Sequence, residues 1–275
     1  MNRLSLQDRA RILGCLVEGN SLRATTRMCG VSINTVTKLL VDVGTACGLY
    51  QNEVLQNLPC KRVQVDEIWS FCYSKQKNTP PNMRHLGKGD VYTWVAIDAD
   101  TKLVPSWLVG TRDAEYANAF IRDLAGRLAS RVQLTSDGHK AYLRAVEDAF
   151  GSEVDYSMLV KLYGASDGNQ QERRYSPGQC CGTITGTVSG DPDPAHVSTS
   201  FVERQNLTMR MSMKRFARLS NGFSKKIENH EHAIAMHYMY YNFGRIHKTL
   251  RVTPAMEAGV SDHVWTLEEI AKLAD

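Results

Sequence analysis

The chain has 275 residues, of which 43% are hydrophobic and 23% charged, and a formal net charge of +4. This composition is typical of a globular protein, and the length allows one large domain with a smaller one. No apolar run reaches the roughly 18 residues that a membrane span needs, and charges interrupt the apolar N-terminal stretch, which argues against a secretory signal. The seven cysteines are scattered without a C-x-x-C pair. We therefore expect a cytoplasmic protein with no zinc ribbon.

Two basic segments flank a mildly acidic middle. Residues 1–50 carry six Lys or Arg against three acids, and residues 201–251 carry ten against three. Basic segments of this kind favour nucleic acid as a partner. A solvated helix face, which binds nothing, is the alternative explanation.

The first fifty residues predict three helices in a helix-turn-helix arrangement. The first helix covers about residues 6–18, Gly30 makes a tight turn after the second, and Ser32 caps the third. A capped helix after such a turn is the layout of DNA-binding domains, although a plain three-helix bundle is the alternative. The third helix would present polar side chains suited to base edges and phosphates. These are Asn34, Thr35, Thr37 and Lys38.

From Lys61 onward, the pattern predicts strands and then alternating strands and helices. Three strands precede a helix, a fourth strand that ends at Asp137, a second helix and a fifth strand. This order, β-β-β-α-β-α-β followed by a helix, predicts an α/β fold with a ribonuclease H-like, mixed, five-stranded sheet and flanking helices. A small all-α helix-turn-helix domain precedes it.

The rest of the chain completes the expected domain organisation. Residues 164–199 are rich in Gly, Ser, Pro and Asp and predict a long loop or insertion. A helix is expected from Ser200 to about Leu219, and a second long helix follows it. We expect three regions: residues 1–58 as the helix-turn-helix domain with a connecting helix, residues 61–250 as the catalytic domain, and residues 251–275 as a C-terminal tail.

Three carboxylates occupy distinctive places in this pattern. Asp66 lies inside the first strand, Asp137 ends the fourth, and Glu203 begins the helix after the long loop. If the first and fourth strands are neighbours and the late helix packs across them, the three acids converge. Oxygen ligands suit Mg²⁺ or Mn²⁺, and two such ions about 4 Å apart support phosphodiester chemistry. For Glu203 the alternative is a capping box with Ser200, whereas Glu67 should face the other side of its strand and is not expected to be a ligand.

Three segments carry a resemblance to a known family. "VDEIWSF", "TSDGHKAY" and "SFVERQNLTMRMSMKRFARLSNGFSKKIENH" resemble the three catalytic blocks of DDE transposases, most closely those of the insertion-sequence-one group. The resemblance extends from residue 61 to about 245 and implies that Asp66, Asp137 and Glu203 are the catalytic and metal-binding triad, with two Mg²⁺ (or Mn²⁺) ions. The chain departs from the group in lacking an N-terminal cysteine-ligated zinc finger, so no zinc is expected, and in having a long loop at 164–199.

The last block is also expected to contact DNA. At helical spacing, Glu203 shares one face with Asn206, Arg210 and Lys214, which could bind phosphates beside the metal. The expected DNA contacts of this block are Arg204, Asn206, Arg210, Lys214, Arg218 and Lys225. His230, His232 and His237 do not have zinc-ligand spacing, and a helix surface or DNA-facing role is favoured for them.

The resemblance predicts a transposase that binds the ends of an insertion element, cleaves DNA and joins the freed 3′-OH to target DNA. Because two ends must be paired, a homodimer or larger assembly is expected by family analogy. Two alternatives remain at this point. One is a nuclease of the same fold that cuts without joining, and the other is a DNA-binding regulator derived from a transposase.

Overall fold

The structure, a computed structural model, describes residues 4–84, 86–164, 180–217 and 220–275. The N-terminal region forms the three expected helices, α1 (Leu6–Val17), α2 (Leu22–Cys29) and α3 (Ile33–Val54). Each is capped by a serine hydroxyl that accepts a backbone N–H of the first turn, which supplies a partner to a group that the helix itself cannot satisfy. The caps are Ser5, Ser21 and Ser32. Gly30 ends α2 in the left-handed conformation at φ 68°.

The centre of the molecule is a six-stranded mixed sheet in the order β3-β2-β1-β4-β5-β6. Strands β1 and β4, and strands β4 and β5, run parallel, whereas the other neighbouring pairs are antiparallel. The expected adjacency of the first and fourth strands is therefore confirmed. The strand bounds are β1 (Arg62–Cys72), β2 (Gly89–Asp98), β3 (Trp107–Gly110), β4 (Val132–Ser136), β5 (Val154–Tyr163) and β6 (Cys180–Ser189).

The sheet has one strand more than the sequence predicted. Part of the expected loop, residues 165–179, lies outside the described residues, but Cys180–Ser189 forms β6 and pairs antiparallel with β5, with Val160 opposite Ile184. The side chains of β6 are mostly exposed. Because neither face of this strand is buried, its sequence carries no apolar alternation, and only its Thr, Val and Ile content is typical of a strand.

Helices cover both faces of the sheet. Asp66 contacts a helix on one face through Asn206, whereas the next residue, Glu67, contacts a helix on the other through Tyr142. This alternation is what a strand imposes on consecutive side chains. No helix among the described ranges is both long and apolar enough to cross a membrane. The remaining helices are α4 (Pro81–Arg84), α5 (Ala114–Arg127), α6 (Ala141–Phe150), α7 (Ser200–Ser212), α8 (Ile227–Met239), α9 (Pro254–Glu257) and α10 (Leu267–Lys272).

Helix α7 is shorter than predicted. It ends at Ser212, Met213 is extended, and a single 3₁₀ turn follows from Lys214 to Phe216. The extended residue lets Met213 and Phe216 both reach the core, where they are 5% and 4% exposed. Lys214 consequently leaves the helix face that carries Glu203, so the expectation that the two share a face is wrong.

The buried histidines of α8 correct a second expectation. His230 and His237 are 0% and 3% exposed, so a helix surface or DNA-facing role is wrong for them. His230 lies between the hydroxyls of Ser70 (3.1 Å) and Ser224 (2.8 Å). Helix α8 is buried because α3 packs along one side of it while the opposite side enters the core beneath the sheet. His232 alone of the three is near the surface, with its ring 3.5 Å from the hydroxyl of Thr45.

The C-terminal residues pack against the N-terminal helices. Ile270 and Ala271 of α10 are buried, and the guanidinium of Arg9 in α1 donates to the carbonyl of Ala271 (3.2 Å) and to the carboxylate of Asp275 (2.5 Å). Residues 251–275 thus include two short helices, of which α10 packs on α1, and one continuous core connects the helix-turn-helix to the sheet.

The contact between α3 and α8 yields a test of this shared core. A Cβ placed at Gly44 would lie 2.6 Å from both the Cβ and the carbonyl oxygen of His232, whereas one at Gly48, a turn later, would lie 3.8 Å from Ala235. We expect Gly44→Ala to lower the free energy of unfolding by about 1–3 kcal/mol because the helices must separate. Gly48→Ala should leave it unchanged or raise it by up to about 1 kcal/mol. Urea denaturation of both variants measures the difference, and equal stabilities would contradict the close packing.

Candidate active site

Two of the predicted acids meet at the junction of β1 and β4. The parallel register pairs Val65 with Ser136, so the next residue of each chain segment, Asp66 and Asp137, lies at the same end of the sheet. Glu67 joins them, and one carboxylate oxygen from each of the three lies within 4.8 Å of the others. The sheet topology therefore brings together acids that are 71 residues apart in the sequence.

Asp66 is held by Asn206 and is affected strongly by burial. Its carboxylate accepts a hydrogen bond from the side-chain amide of Asn206 at 2.8 Å. Burial, followed by the negative charges of Glu67 and Asp137, raises the pKa of Asp66 to about 7, and the Asn206 hydrogen bond only partly opposes this rise. Because burial disfavours a lone carboxylate, Asp66 is costly to ionise in the folded protein.

Glu203 approaches the same cavity from the first turn of α7. Both of its oxygens lie 2.5 Å from the ammonium of Lys161 on β5, and one also accepts the hydroxyl of Thr199 at 2.7 Å. The cap of α7 is Thr199 instead of Ser200, so the capping box proposed as the alternative role of Glu203 is wrong. The carboxylate lines the cavity, and the backbone N–H of Ser200 donates to the hydroxyl of Ser198 (3.1 Å) instead.

The start of α7 is fixed to the sheet by Gln64. This buried side chain of β1 accepts the backbone N–H groups of Phe201 (2.8 Å) and Val202 (3.2 Å), which a helix leaves unsatisfied at its N-terminus. Gln64 precedes Asp66 by two residues on the same face of the strand. One strand therefore carries the first acid and also positions the helix that carries the third.

A single cavity of about 700 Å³ contains all three predicted acids. Its lining also includes positive groups on Arg112, Lys140 and Lys161. A cavity that combines clustered carboxylates with cations can hold a divalent metal and, beside it, the phosphates of a nucleic acid. The oxygen-only donor set and the close approach of the carboxylates fit Mg²⁺ or Mn²⁺ and do not suit the nitrogen and sulfur preferences of zinc.

Glu67 has a role that sequence reasoning missed. Its carboxylate accepts hydrogen bonds from the guanidinium of Arg112 and from the hydroxyl of Tyr142 (3.0 Å), and Arg112 also lies 3.8 Å from Asp137. Both oxygens of Glu67 thus accept hydrogen bonds, yet one of them lies within 4.8 Å of an oxygen of Asp66 and of Asp137, so its position does not support the expectation that it is no ligand. The available signal was a second acid in a buried strand, which must be paired.

Sequence reasoning also missed Lys161 and Arg112. Arg112 follows the apolar strand β3, and Lys161 lies within β5. A charge at such a position is the only local signal that either residue carries. His139 also lines the acidic cavity. Its backbone N–H donates to Asp137 (2.9 Å) while its ring packs 5.8 Å from that of Trp94 and 5.9 Å from that of Tyr142.

The predicted recognition residues lie at the start of α3. Asn34 and Lys38 are exposed and Thr35 and Thr37 are half-buried. Lys38 pairs with Asp42 at 2.5 Å, and the hydroxyl of Thr37 donates to the carbonyl of Ile33 at 2.9 Å. The helix therefore presents Asn34 and Lys38 to solvent, as a recognition helix requires.

The structure places the predicted DNA contacts of the last block in different surroundings. Asn206 is 5% exposed and bonds to Asp66, so its assignment to DNA is wrong: it supports the acidic cluster because it faces β1. Arg204 is exposed and Arg210 half-buried on α7. Lys214 and Lys225 line a second cavity of about 850 Å³ between the helix-turn-helix and α8. Arg218 lies outside the described residues.

Two family models match different parts of the chain. Residues 85–178 match a model described as a DDE domain, and residues 194–244 match a model described as IS1 transposase. The first range includes Asp137, and the second includes Glu203. The resemblance to DDE transposases that the sequence predicted is therefore confirmed. Within that class, the late helices match the insertion-sequence-one type, and a DDE domain implies dependence on a divalent metal.

Comparisons with whole proteins add little to these matches. No curated protein shows a significant match to the chain. Among solved structures, the piggyBac transposase synaptic complex with hairpin DNA aligns at 12% identity and a TM-score of 0.34, covering 82% of this chain, which spans about half (54%) of that one. The Mos1 strand transfer complex aligns at 14% identity and a TM-score of 0.23, covering 86% of this chain and 78% of that one. Scores this low carry no weight in the assignment.

The burial of Asp66 predicts a gain in stability when its charge is removed. The folded pKa of about 7 exceeds the usual 3.8, so the folded protein retains a proton that the unfolded chain releases between about pH 4 and 7. The free energy of unfolding therefore falls as pH rises through this window. We expect Asp66→Asn to raise it by a few kcal/mol at pH 8, with about 4 kcal/mol as the upper limit, and to change it little at pH 4.

Urea denaturation in EDTA at pH 4 and pH 8 measures this effect. Glu147→Gln, which removes an exposed acid from α6, serves as the control and should change stability little at either pH. A lower free energy of unfolding for Asp66→Asn at pH 8 would contradict the conclusion that ionised Asp66 destabilises the folded protein.

Proposed function

We propose that this protein is a DNA transposase of an insertion element, which binds the element ends, cleaves DNA and joins the freed 3′-OH to target DNA. Asp66, Asp137 and Glu203 are its proposed catalytic and metal-binding residues. One observation carries the proposal: these acids, from β1, β4 and α7, line one cavity together with three cations. The matches to the DDE-domain and IS1 transposase models support it.

The carboxylates would hold Mg²⁺, with Mn²⁺ as a substitute, and we propose two ions per site. When bound, such ions activate an attacking oxygen and stabilise the leaving one in an in-line displacement. The chain's own residues have separate tasks. Asn206 orients Asp66, and Arg112, held by Glu67, places a positive charge beside Asp137. The positive charge of Arg112 would help to receive a strand of DNA at the cavity.

Recognition of the element ends is assigned to α3, and the protein would act as a homodimer or larger assembly because two ends must be paired. Helix α3 reaches from the exposed Asn34 to the core contact with α8. Its 22 residues span about 33 Å at the usual rise per residue. The recognition residues would thus be rigidly connected to the body that contains the acids.

Glu203→Gln tests the catalytic assignment. The substitution keeps the size of the side chain but removes a negative ligand, so cleavage and joining should both fall by at least about 100-fold while DNA affinity is not weakened. The assay uses Mg²⁺ and DNA that carries the sequences flanking both ends of the coding region. Glu228→Gln, an exposed acid in the first turn of α8, is the matched control and should retain activity.

The same assay separates the alternatives. Cleavage without joining by the unaltered protein would indicate a nuclease of this fold, and end binding without cleavage in Mg²⁺ would indicate a DNA-binding regulator. Near-normal cleavage by Glu203→Gln would remove Glu203 from the catalytic set.

Asn34→Ala tests the recognition helix. Asn34 is exposed at the start of α3, and loss of a base contact should cost about 1–3 kcal/mol of affinity for end DNA and little for unrelated DNA. Lys38→Ala, one turn later, should instead weaken both and reduce the dependence of binding on salt. Fluorescence anisotropy with the two DNAs at several salt concentrations provides the measurement. An equal effect of Asn34→Ala on both DNAs would remove this residue from recognition.

A further inference from the structure

Lys161 and Glu203 form an ion pair within the wall of the acidic cavity. The ammonium lies 2.5 Å from both carboxylate oxygens, and the Lys161 and Glu203 side chains are 28% and 40% exposed. The pair is therefore open to the cavity and accessible to ligands. The hydroxyl of Thr199 also donates to Glu203.

This pairing separates Glu203 from the other acids. The cluster whose oxygens lie within 4.8 Å of one another contains Asp66, Glu67 and Asp137, while Glu203 faces an ammonium. A divalent cation held by Glu203 needs an oxygen that Lys161 now occupies. Because two cations at contact distance repel each other strongly, the metal and the ammonium compete for this carboxylate.

An ammonium that leaves Glu203 requires another anion. The nearest carboxylates of the cavity belong to the proposed metal site, so they are not available to it. A phosphate of DNA is the anion that the proposed reaction brings into this cavity, and lysine binds phosphate readily as a point charge. A single residue can thus exchange one anion for the other as the site fills.

We infer that Lys161 is a positioning residue that couples DNA binding to metal binding through Glu203. A DNA phosphate draws the ammonium away from the carboxylate and releases Glu203 for the metal; conversely, metal at Glu203 releases Lys161 for DNA. Such coupling is reciprocal, and its usual size is about 5- to 150-fold in affinity. The inference rests on the proposed function, since DNA is the anion.

A structural role for the same pair predicts a different outcome. If Lys161 only fastens α7 to β5, then its loss should slightly lower the melting temperature, because exposed ion pairs contribute little, and should not strengthen metal binding. If Lys161 competes with the metal, then its loss should strengthen metal binding in the absence of DNA. Metal affinity therefore separates the two roles independently of enzymatic activity.

The test compares full-length Lys161→Gln with the unaltered protein, using Mn²⁺ and a fluorescein-labelled 30-base-pair duplex as probes. Electron paramagnetic resonance of free Mn²⁺ gives the metal affinity without DNA, which should increase by about tenfold in the variant. Fluorescence anisotropy at constant ionic strength gives the duplex affinity in Mn²⁺ and in EDTA. Mn²⁺ should tighten duplex binding by the unaltered protein, and this tightening should be largely lost in Lys161→Gln.

Two further variants serve as controls. Lys140→Gln removes a positive charge from the same cavity but leaves Lys161 and Thr199, which hold Glu203, unchanged. This variant should weaken duplex binding while keeping most of the tightening by Mn²⁺. Lys161→Arg keeps the charge and should restore the coupling. Unchanged or weaker Mn²⁺ binding by Lys161→Gln, or equal tightening in that variant and the unaltered protein, would overturn the inference while leaving the transposase proposal intact. Failure of the unaltered protein to bind the duplex in Mn²⁺ would instead overturn the proposed function.

Discussion

Four carboxylates crowd into one end of the sheet, and their mutual repulsion is the constraint around which the surrounding structure is arranged. Asp66, Glu67 and Asp137 converge within 4.8 Å, and Glu203 lines the same cavity. Like charges at this range raise one another's pKa unless a positive or hydrogen-bonding group intervenes. All four acids have such a partner, and for Asp137 it is the backbone N–H of His139. Asn206 bonds to Asp66, Arg112 and Tyr142 bond to Glu67, and Lys161 bonds to Glu203.

These partners differ in how accessible they leave each carboxylate. Glu67 has both oxygens engaged and is largely sealed, with its side chain 2% exposed, and its carboxylate orients Arg112. Asp66 is buried with a raised pKa, and the fold bears a cost for its ionised form. Carboxylates clustered in this way lower the stability of the folded protein but favour the binding of a divalent cation. Such a loss of stability in return for function is common in active sites.

Two parts of the fold carry this arrangement. The parallel pairing of β1 with β4 sets Asp66 beside Asp137, and Gln64 of the same strand holds the N-terminus of α7 so that Glu203 faces the cavity. The helix-turn-helix is connected to the same body, because α3 packs so closely on α8 that Gly44 has no room for a Cβ. A DNA end held at the start of α3 would therefore be held at a defined position relative to the acids.

The sequence by itself determined the local elements and the places of the three acids. Serine caps and Gly30 define the first helices, and the strand order allowed the convergence of Asp66 and Asp137 to be expected, since these are properties of neighbouring residues or of a recurrent topology. Only the tertiary structure decided which groups neutralise the acids, that His230 and His237 are buried, and that an exposed segment adds a sixth strand. The physical reason is that each of these depends on packing between distant segments: the partner of Glu203 lies 42 residues away in the chain, and β6 exists because β5 offers it hydrogen bonds, with no buried face to leave a pattern in its sequence.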